Sequence, residues 1–195
     1  MKKVNQLLMS ALAVALPLGM YAQTIFTCGD STMADYATDG STSTRGWGQY
    51  FGAFFDPDIT VINRGKGGMD VRGFYDGDAY WPSIKKALKP DDYVLLQFAH
   101  NDEKNGGMDG QQLYDYYVAK GDMESAAKVD KRGSVPNDTY VKTLRKLVEE
   151  VRAKDAIPLF ASSVCRMNFT SDGDIRRAGR HDLGDSFSKL TANGP

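Results

Sequence analysis

Four short apolar runs divide the chain, and each stops at a cluster of polar residues or glycines. The first, Ile25-Phe26-Thr27-Cys28, halts at Gly29-Asp30-Ser31-Thr32, and the second, Ile59-Thr60-Val61-Ile62-Asn63, enters the glycine-rich stretch Arg64 to Phe74. The third, Tyr93 to Ala99, ends in His100-Asn101-Asp102-Glu103, and the fourth spans Ala156 to Val164 with Pro158 near its start. Short β-branched and apolar runs bounded by turn residues predict β-strands. A proline near a strand's first residue is where its missing N–H does least harm. The nearly continuous apolar character of the third run predicts a central strand covered on both faces, as in a parallel sheet flanked by helices.

Between these runs lie segments of helical period. Thr139 to Lys154 is the clearest: Tyr140, Leu144, Leu147, Val148 and Val151 share a face, and Asp138 is the expected N-cap. A helix is predicted over about Gly73 to Tyr80, with a further turn near Ser83 to Leu88. Trp47 to Phe55 reads as a short aromatic helix whose rings fill the core against the sheet; for Trp47, core filling and ligand stacking both stand. Lys104 to Asn137 is long for a crossover, with helices near Leu113 to Lys120 and Met123 to Val129. Long connections of this kind often form lids or substrate walls. Tyr114, Tyr116 and Tyr117 either line such a wall or pack the small helices onto the body, and packing is the expectation. The alternation of strands and crossovers predicts one α/β domain, a three-layer sandwich on a parallel sheet with right-handed connections. There is no internal repeat.

Composition changes this picture little. The chain has 195 residues, 42% of them apolar, and a formal net charge of -1. That suffices for one buried core and gives no excess of Lys and Arg with which to track nucleic acid. Met1-Lys2-Lys3, the apolar run Leu7 to Met20 and Tyr21-Ala22 form a secretory signal with cleavage expected after Ala22. The run is shorter than the roughly 20 residues that span a bilayer. The expected mature protein is therefore residues 23–195, secreted or periplasmic, monomeric and without a membrane anchor. Export permits a disulfide between Cys28 and Cys165, but their places at strand ends favour two free, buried thiols.

The chemistry lies in the polar clusters. Serine delivered just past a buried strand sits where open α/β sheets place their ligand crevice, so Ser31 is a candidate nucleophile; Ser and Asp are also ordinary turn and N-cap residues. The glycine stretch lacks the spacing of a phosphate loop. Its glycines either ease a turn or expose a backbone N–H of the kind an oxyanion hole requires. No cluster has metal-ligand spacing, and no cofactor is expected.

Gly29-Asp30-Ser31-Thr32, the Asn63 to Phe74 loop and His100-Asn101-Asp102 together resemble the SGNH (GDSL-like) hydrolases, most of all their rhamnogalacturonan acetylesterase branch. The likeness extends from about Ile25 to Phe169, with Asp138-Thr139-Tyr140 and Val164-Cys165-Arg166 adding to it. It implies a flavodoxin-like fold and hydrolysis of acetyl esters on pectic polysaccharide. By the same resemblance Ser31 is the nucleophile, the N–H groups of Ser31 and Gly68 with the Asn101 side-chain amide form the oxyanion hole, and Asp30 and His100 support the site. The family's base is a histidine in an Asp-x-x-His motif near the carboxyl end, and this chain has none: Gln97 and Ala178 stand three residues before its two histidines, His100 and His181. The base stays unassigned, with His181 as a candidate and Asp182 or Asp185 as its partner. A missing closing strand and a polar end at Pro195 lead to the expectation of a chain cut short and poorly active. Arg64, Arg72 and Arg166 are read as structural ion pairs ahead of carboxylate-binding groups. The competing functions are a glycan-binding or scaffold protein on the same fold, and a lipase or thioesterase of the same superfamily.

Overall fold

The computed structural model describes residues 23–164 and two short backbone stretches, 168–169 and 175–176. Strands β1 (Thr24–Gly29), β2 (Thr60–Asn63), β3 (Tyr93–Gln97) and β4 (Ile157–Phe160) form a parallel sheet in the order β2-β1-β3-β4. Helices flank it in a three-layer α/β arrangement. β5 (Asn168–Phe169) and β6 (Ile175–Arg176) pair antiparallel with each other. Each apolar run of the sequence thus yields a strand, although the third and fourth stop short of Phe98-Ala99 and of Ala161 to Val164.

The register explains the core. Ile62, Phe26, Val94 and Pro158 lie in one row, and Cys28, Leu96 and Phe160 in the next. Because side chains alternate along strands, these rows share one face. That face packs with Val71 and Phe74 of α2 (Val71–Asp76), Trp81 and Ile84 of α3 (Trp81–Ala87), and Leu144, Leu147 and Val151 of α6 (Val141–Arg152). Each fully buried Val, Leu, Ile or Phe contributes about 1.5–3 kcal/mol. Cys28 is free and fully buried here, and burial pushes its thiol far above the usual range. The expectation of a free, buried Cys28 holds; Cys165 lies outside the described residues. Cover is deeper on one face of β3 than on the other. Val94 and Leu96 are buried, but Tyr93 and Leu95 are half-buried and their row-mates Ile157 and Leu159 on β4 are exposed, because among the described residues β4 has β3 alone as neighbour.

All five apolar residues predicted for the long helix are buried. Its start differs from the prediction. Pro136 opens a π turn over Pro136–Tyr140, closed by Tyr140 N–H to Val135 O at 3.0 Å, so Asp138 lies inside that turn and pairs with Lys142 instead of capping α6. Glu150 of α6 joins three elements, accepting from Tyr75 Oη (2.9 Å), Trp81 Nε1 (2.6 Å) and Lys85 Nζ (2.9 Å).

The aromatic helix is also a correction. It has a single turn, α1 (Gly48–Phe51), followed by a 3-10 turn over Gly52–Phe54. None of its rings is buried, and Phe54 is 81% exposed. These turns lie beside the edge strand β2, so the rings pack edge-on against one another, Trp47 on Phe51 and Phe51 on Phe55 at 5.2 and 4.9 Å between centroids.

The long crossover forms a helical excursion, α4 (Gly110–Ala119) and α5 (Met123–Lys128), capped by Asp109 and Asp122. Asn105 Nδ2 closes its root by donating to Asp130 O (2.6 Å) and Arg132 O (2.9 Å). Its tyrosines pack onto the body less than expected: Tyr114 and Tyr117 are half-buried, while Tyr116 is exposed and contacts Tyr117 and Lys120.

Candidate active site

β1 pairs with β2 on one side and β3 on the other, so the chains leaving the carboxyl ends of β1 and β3 part at a topological switch point. Ser31 follows β1 by two residues, Asn101 follows β3 by four, and Gly68 follows β2 by five. The sheet thereby carries all three candidate residues to its carboxyl edge.

The Ser31 turn is held from several directions. Asp30, buried, accepts Thr32 N–H at 2.9 Å and Thr32 Oγ1 at 2.8 Å, and Met33 N–H closes the turn on Asp30 O at 3.2 Å. Tyr36 Oη donates to Ser31 O at 2.8 Å. Gln97, the buried last residue of β3, accepts Trp47 Nε1–H at 2.8 Å and donates to Ser162 O at 2.9 Å. Trp47, left open by the sequence, is thus tied to the sheet through its indole N–H. Ser31 itself is half-buried, and among the described residues neither its hydroxyl nor its N–H has a partner.

The glycine loop is hooked to the same turn. Asn63 accepts from Thr27 Oγ1 (2.8 Å) and Gly65 N–H (3.0 Å) while donating to Met33 O (2.8 Å) and Asp35 Oδ1 (2.7 Å), which uses its whole hydrogen-bonding capacity. Lys66 N–H reaches Gly29 O at 3.0 Å. Gly68 then adopts φ +78°, a left-handed conformation that a side chain disfavours, and among the described residues its N–H donates to nothing.

Asn101 is buried, with Nδ2 donating to Met69 O at 2.9 Å and Oδ1 accepting from Arg132 Nη1 at 3.3 Å. The same Nη1 lies 3.3 Å from Gly68 O. Asp130 grips the Arg132 guanidinium in two places, Oδ1 to Nε at 2.8 Å and Oδ2 to Nη2 at 2.5 Å. That pairing raises the Arg132 pKa and lowers that of Asp130. Arg132 and Gln97 carry no signal in the sequence beyond membership of a polar cluster and of a strand end. Arg72, as expected, is structural, pairing with Asp109 at 2.9 Å and donating to Gly133 O at 3.0 Å. Arg64 is exposed and has no ion pair among the described residues, against expectation; Arg166 lies outside them.

His100 Nε2 lies 2.6 Å from Val164 O, and since a carbonyl only accepts, that nitrogen carries the hydrogen. His181, Asp182 and Asp185 lie outside the described residues. Asp102 is fully buried, and burial first, then the charge of Asp70, pushes its carboxyl up to about 7 despite hydrogen bonds from Ser134 and Val71. Among the described residues no group of three or more His, Cys, Asp or Glu could hold a metal ion, and no helix is long and apolar enough to cross a membrane.

Residues 27–191 match the family described as GDSL-like Lipase/Acylhydrolase. The chain is 30% identical over 161 residues to rhamnogalacturonan acetylesterase RhgT of Bacillus subtilis, covering 83% of this chain and 56% of that protein. It is 28% identical over 148 residues to the "Probable rhamnogalacturonan acetylesterase YesY" of the same organism, covering 76% and 57%. The chain thus spans little more than half the length of these curated relatives. The crystal structure of the Bacillus subtilis protein YxiM superposes with a TM-score of 0.57 at 23% identity, covering 88% of this chain and 41% of that one, a likeness of fold.

Proposed function

The chain belongs to the GDSL-like lipase/acylhydrolase family, and we propose that within it this protein is an exported serine esterase that removes acetyl groups from pectic polysaccharide. The observation that carries the reading is the set of unclaimed donors at one edge of the sheet: the N–H groups of Ser31 and Gly68, and the second Nδ2 hydrogen of Asn101. Ser31 Oγ attacks the acetyl carbonyl, whose oxygen gains negative charge and takes up these donors. Collapse of the tetrahedral intermediate expels the sugar hydroxyl, and water then releases acetate from the acyl-serine. Each donor of this kind is typically worth about 2.7–4 kcal/mol in the transition state. The proton acceptor for Ser31 is unassigned, and His181 is the candidate this sequence offers. Acetylated rhamnogalacturonan is the proposed substrate, supported by the kinship to RhgT and YesY. Export is supported by the Met1 to Ala22 pattern.

A serine-reactive fluorophosphonate applied to the full-length protein tests the chemistry. Mass spectrometry is expected to find the adduct on Ser31, and Ser31→Ala to abolish both adduct and acetate release. A folded protein that takes no label is a binding protein and overturns the reading. A panel of acetylated rhamnogalacturonan, acetylated xylan and long-chain acyl esters tests the substrate, and preference for long chains turns the assignment to a lipase or thioesterase.

A further inference from the structure

We infer that Arg132 is a positioning residue of this site, holding Gly68 and Asn101 in the orientation in which their donors face the substrate oxyanion. The inference rests on the reading of those two residues given above. One guanidinium nitrogen, Nη1, stands 3.3 Å from Gly68 O and 3.3 Å from Asn101 Oδ1. A guanidinium only donates and the Met69 carbonyl only accepts, so together they allow the Asn101 amide one orientation: Oδ1 toward Arg132, Nδ2 toward Met69 O, one Nδ2 hydrogen left over. In the flipped amide Oδ1 would take the place of Nδ2, and a lone pair would stand where an oxyanion needs a hydrogen. The effect on Gly68 is similar in kind. Glycine at φ +78° rotates easily, and pinning its carbonyl removes a motion that would carry the loop with it.

Arg132 can do this because it is itself fixed. Asp130 holds it in a bidentate pair, which also offsets its charge, so the contribution is orientation more than field. Asn105 holds the backbone carbonyls of both residues, and Arg72 and Asp70 hold Gly133 at 3.0 Å each. The return limb of the crossover is thereby fastened to the mouth of the sheet, far in sequence from the residues it serves.

Steady-state hydrolysis of p-nitrophenyl acetate by the full-length protein tests this. Arg132→Ala is expected to lower kcat about 10–100-fold with KM within about twofold, the pattern of a lost transition-state contact. Arg132→Lys should recover part of the loss, since an ammonium still offers a donor. In an Asn101→Ala background, Arg132→Ala should cost less than about threefold, because its main client is gone. If wild type depends on Ser31 and Asn101 while Arg132→Ala turns over like wild type, the inference fails and the esterase reading stands. An equal loss from Arg132→Ala in both backgrounds makes the residue merely structural and also overturns the inference. If neither Ser31→Ala nor Asn101→Ala affects turnover, the underlying reading falls, and the inference with it. Should Arg132→Ala not fold, Arg132→Lys and Asp130→Asn carry the test: reduced kcat at unchanged KM supports the inference, and wild-type kcat in both overturns it.

Discussion

Ser134 donates its hydroxyl hydrogen to Asp102 Oδ1 at 2.8 Å, on a carboxylate whose other oxygen, Oδ2, is buried with no hydrogen-bond partner among the described residues. The carboxylate is satisfied on one side alone, so burial and the neighbouring charge of Asp70 keep it protonated up to about pH 7. An unfolded chain releases that proton near pH 4. Between these values the folded state binds more protons, so stability falls as pH rises from about 4 to about 7 and is level above. The Asp102 contribution over that span is on the order of 4 kcal/mol. Urea unfolding across this range should show the slope in wild type and lose it in Asp102→Asn; the same slope in both would refute the assignment.

Glu150 works in the opposite sense. Burial raises its pKa, but the donors from Trp81, Lys85 and Tyr75 together outweigh burial and leave it below the usual value. Its contribution is present above the unfolded carboxylate pKa and lost as the solution is acidified below about pH 4.5. Glu150→Gln, which gives up the charge and one acceptor, should cost roughly 1.5–3 kcal/mol at neutral pH and weaken the acid limb of the stability curve. Thermal melts at matched pH measure both.

For Gly68→Ala, the added Cβ would stand 3.0 Å from Arg132 Nη1 on a backbone at φ +78°. A left-handed conformation costs a non-glycine residue about 1–2 kcal/mol, and the clash pushes Arg132 from Asn101. The expected result is that modest loss in denaturant midpoint with a much larger fall in kcat. A variant that loses stability but keeps kcat would remove Gly68 from the site.

Gln97→Leu preserves size and removes three bonds, those to Trp47 Nε1, Thr32 Oγ1 and Ser162 O. The half-buried indole N–H and the carbonyl lose their partners, so a loss of about 1–3 kcal/mol is expected. Trp47 emission should shift, reporting its release from the sheet. An unshifted spectrum would mean that packing, not this bond, places the indole.

The parts legible in the sequence were those in which one local rule governs. Apolar runs ended by Gly-Asp-Ser and His-Asn-Asp marked β1 and β3, and the period of Leu144, Leu147 and Val151 marked the buried face of α6. Reasoning failed where the outcome depends on what lies opposite. Trp47, Tyr50, Phe51, Phe54 and Phe55 have the spacing of an apolar stripe, yet their turns lie beside an edge strand where the rings find chiefly one another. Asp138 has the chemistry of an N-cap, but Pro136 had already begun the turn. Arg132 stands thirty-one residues beyond Asn101, and no periodicity connects the two.

The Asn105 bonds that close the root of the excursion have a consequence for how this protein can change. With the root joined, the segment between Gly107 and Val129 hangs as a closed loop, and its tip at Lys120 and Gly121 can grow or shrink at small cost, about 0.6 kcal/mol for each doubling of loop length. The surface of α4 and α5 can therefore diversify while Arg132, Gly68 and Asn101 keep their places. Grafting a longer tip between Ala119 and Met123 should leave small-ester turnover intact, so that the excursion can vary under selection without disturbing the donors at the carboxyl edge of the sheet.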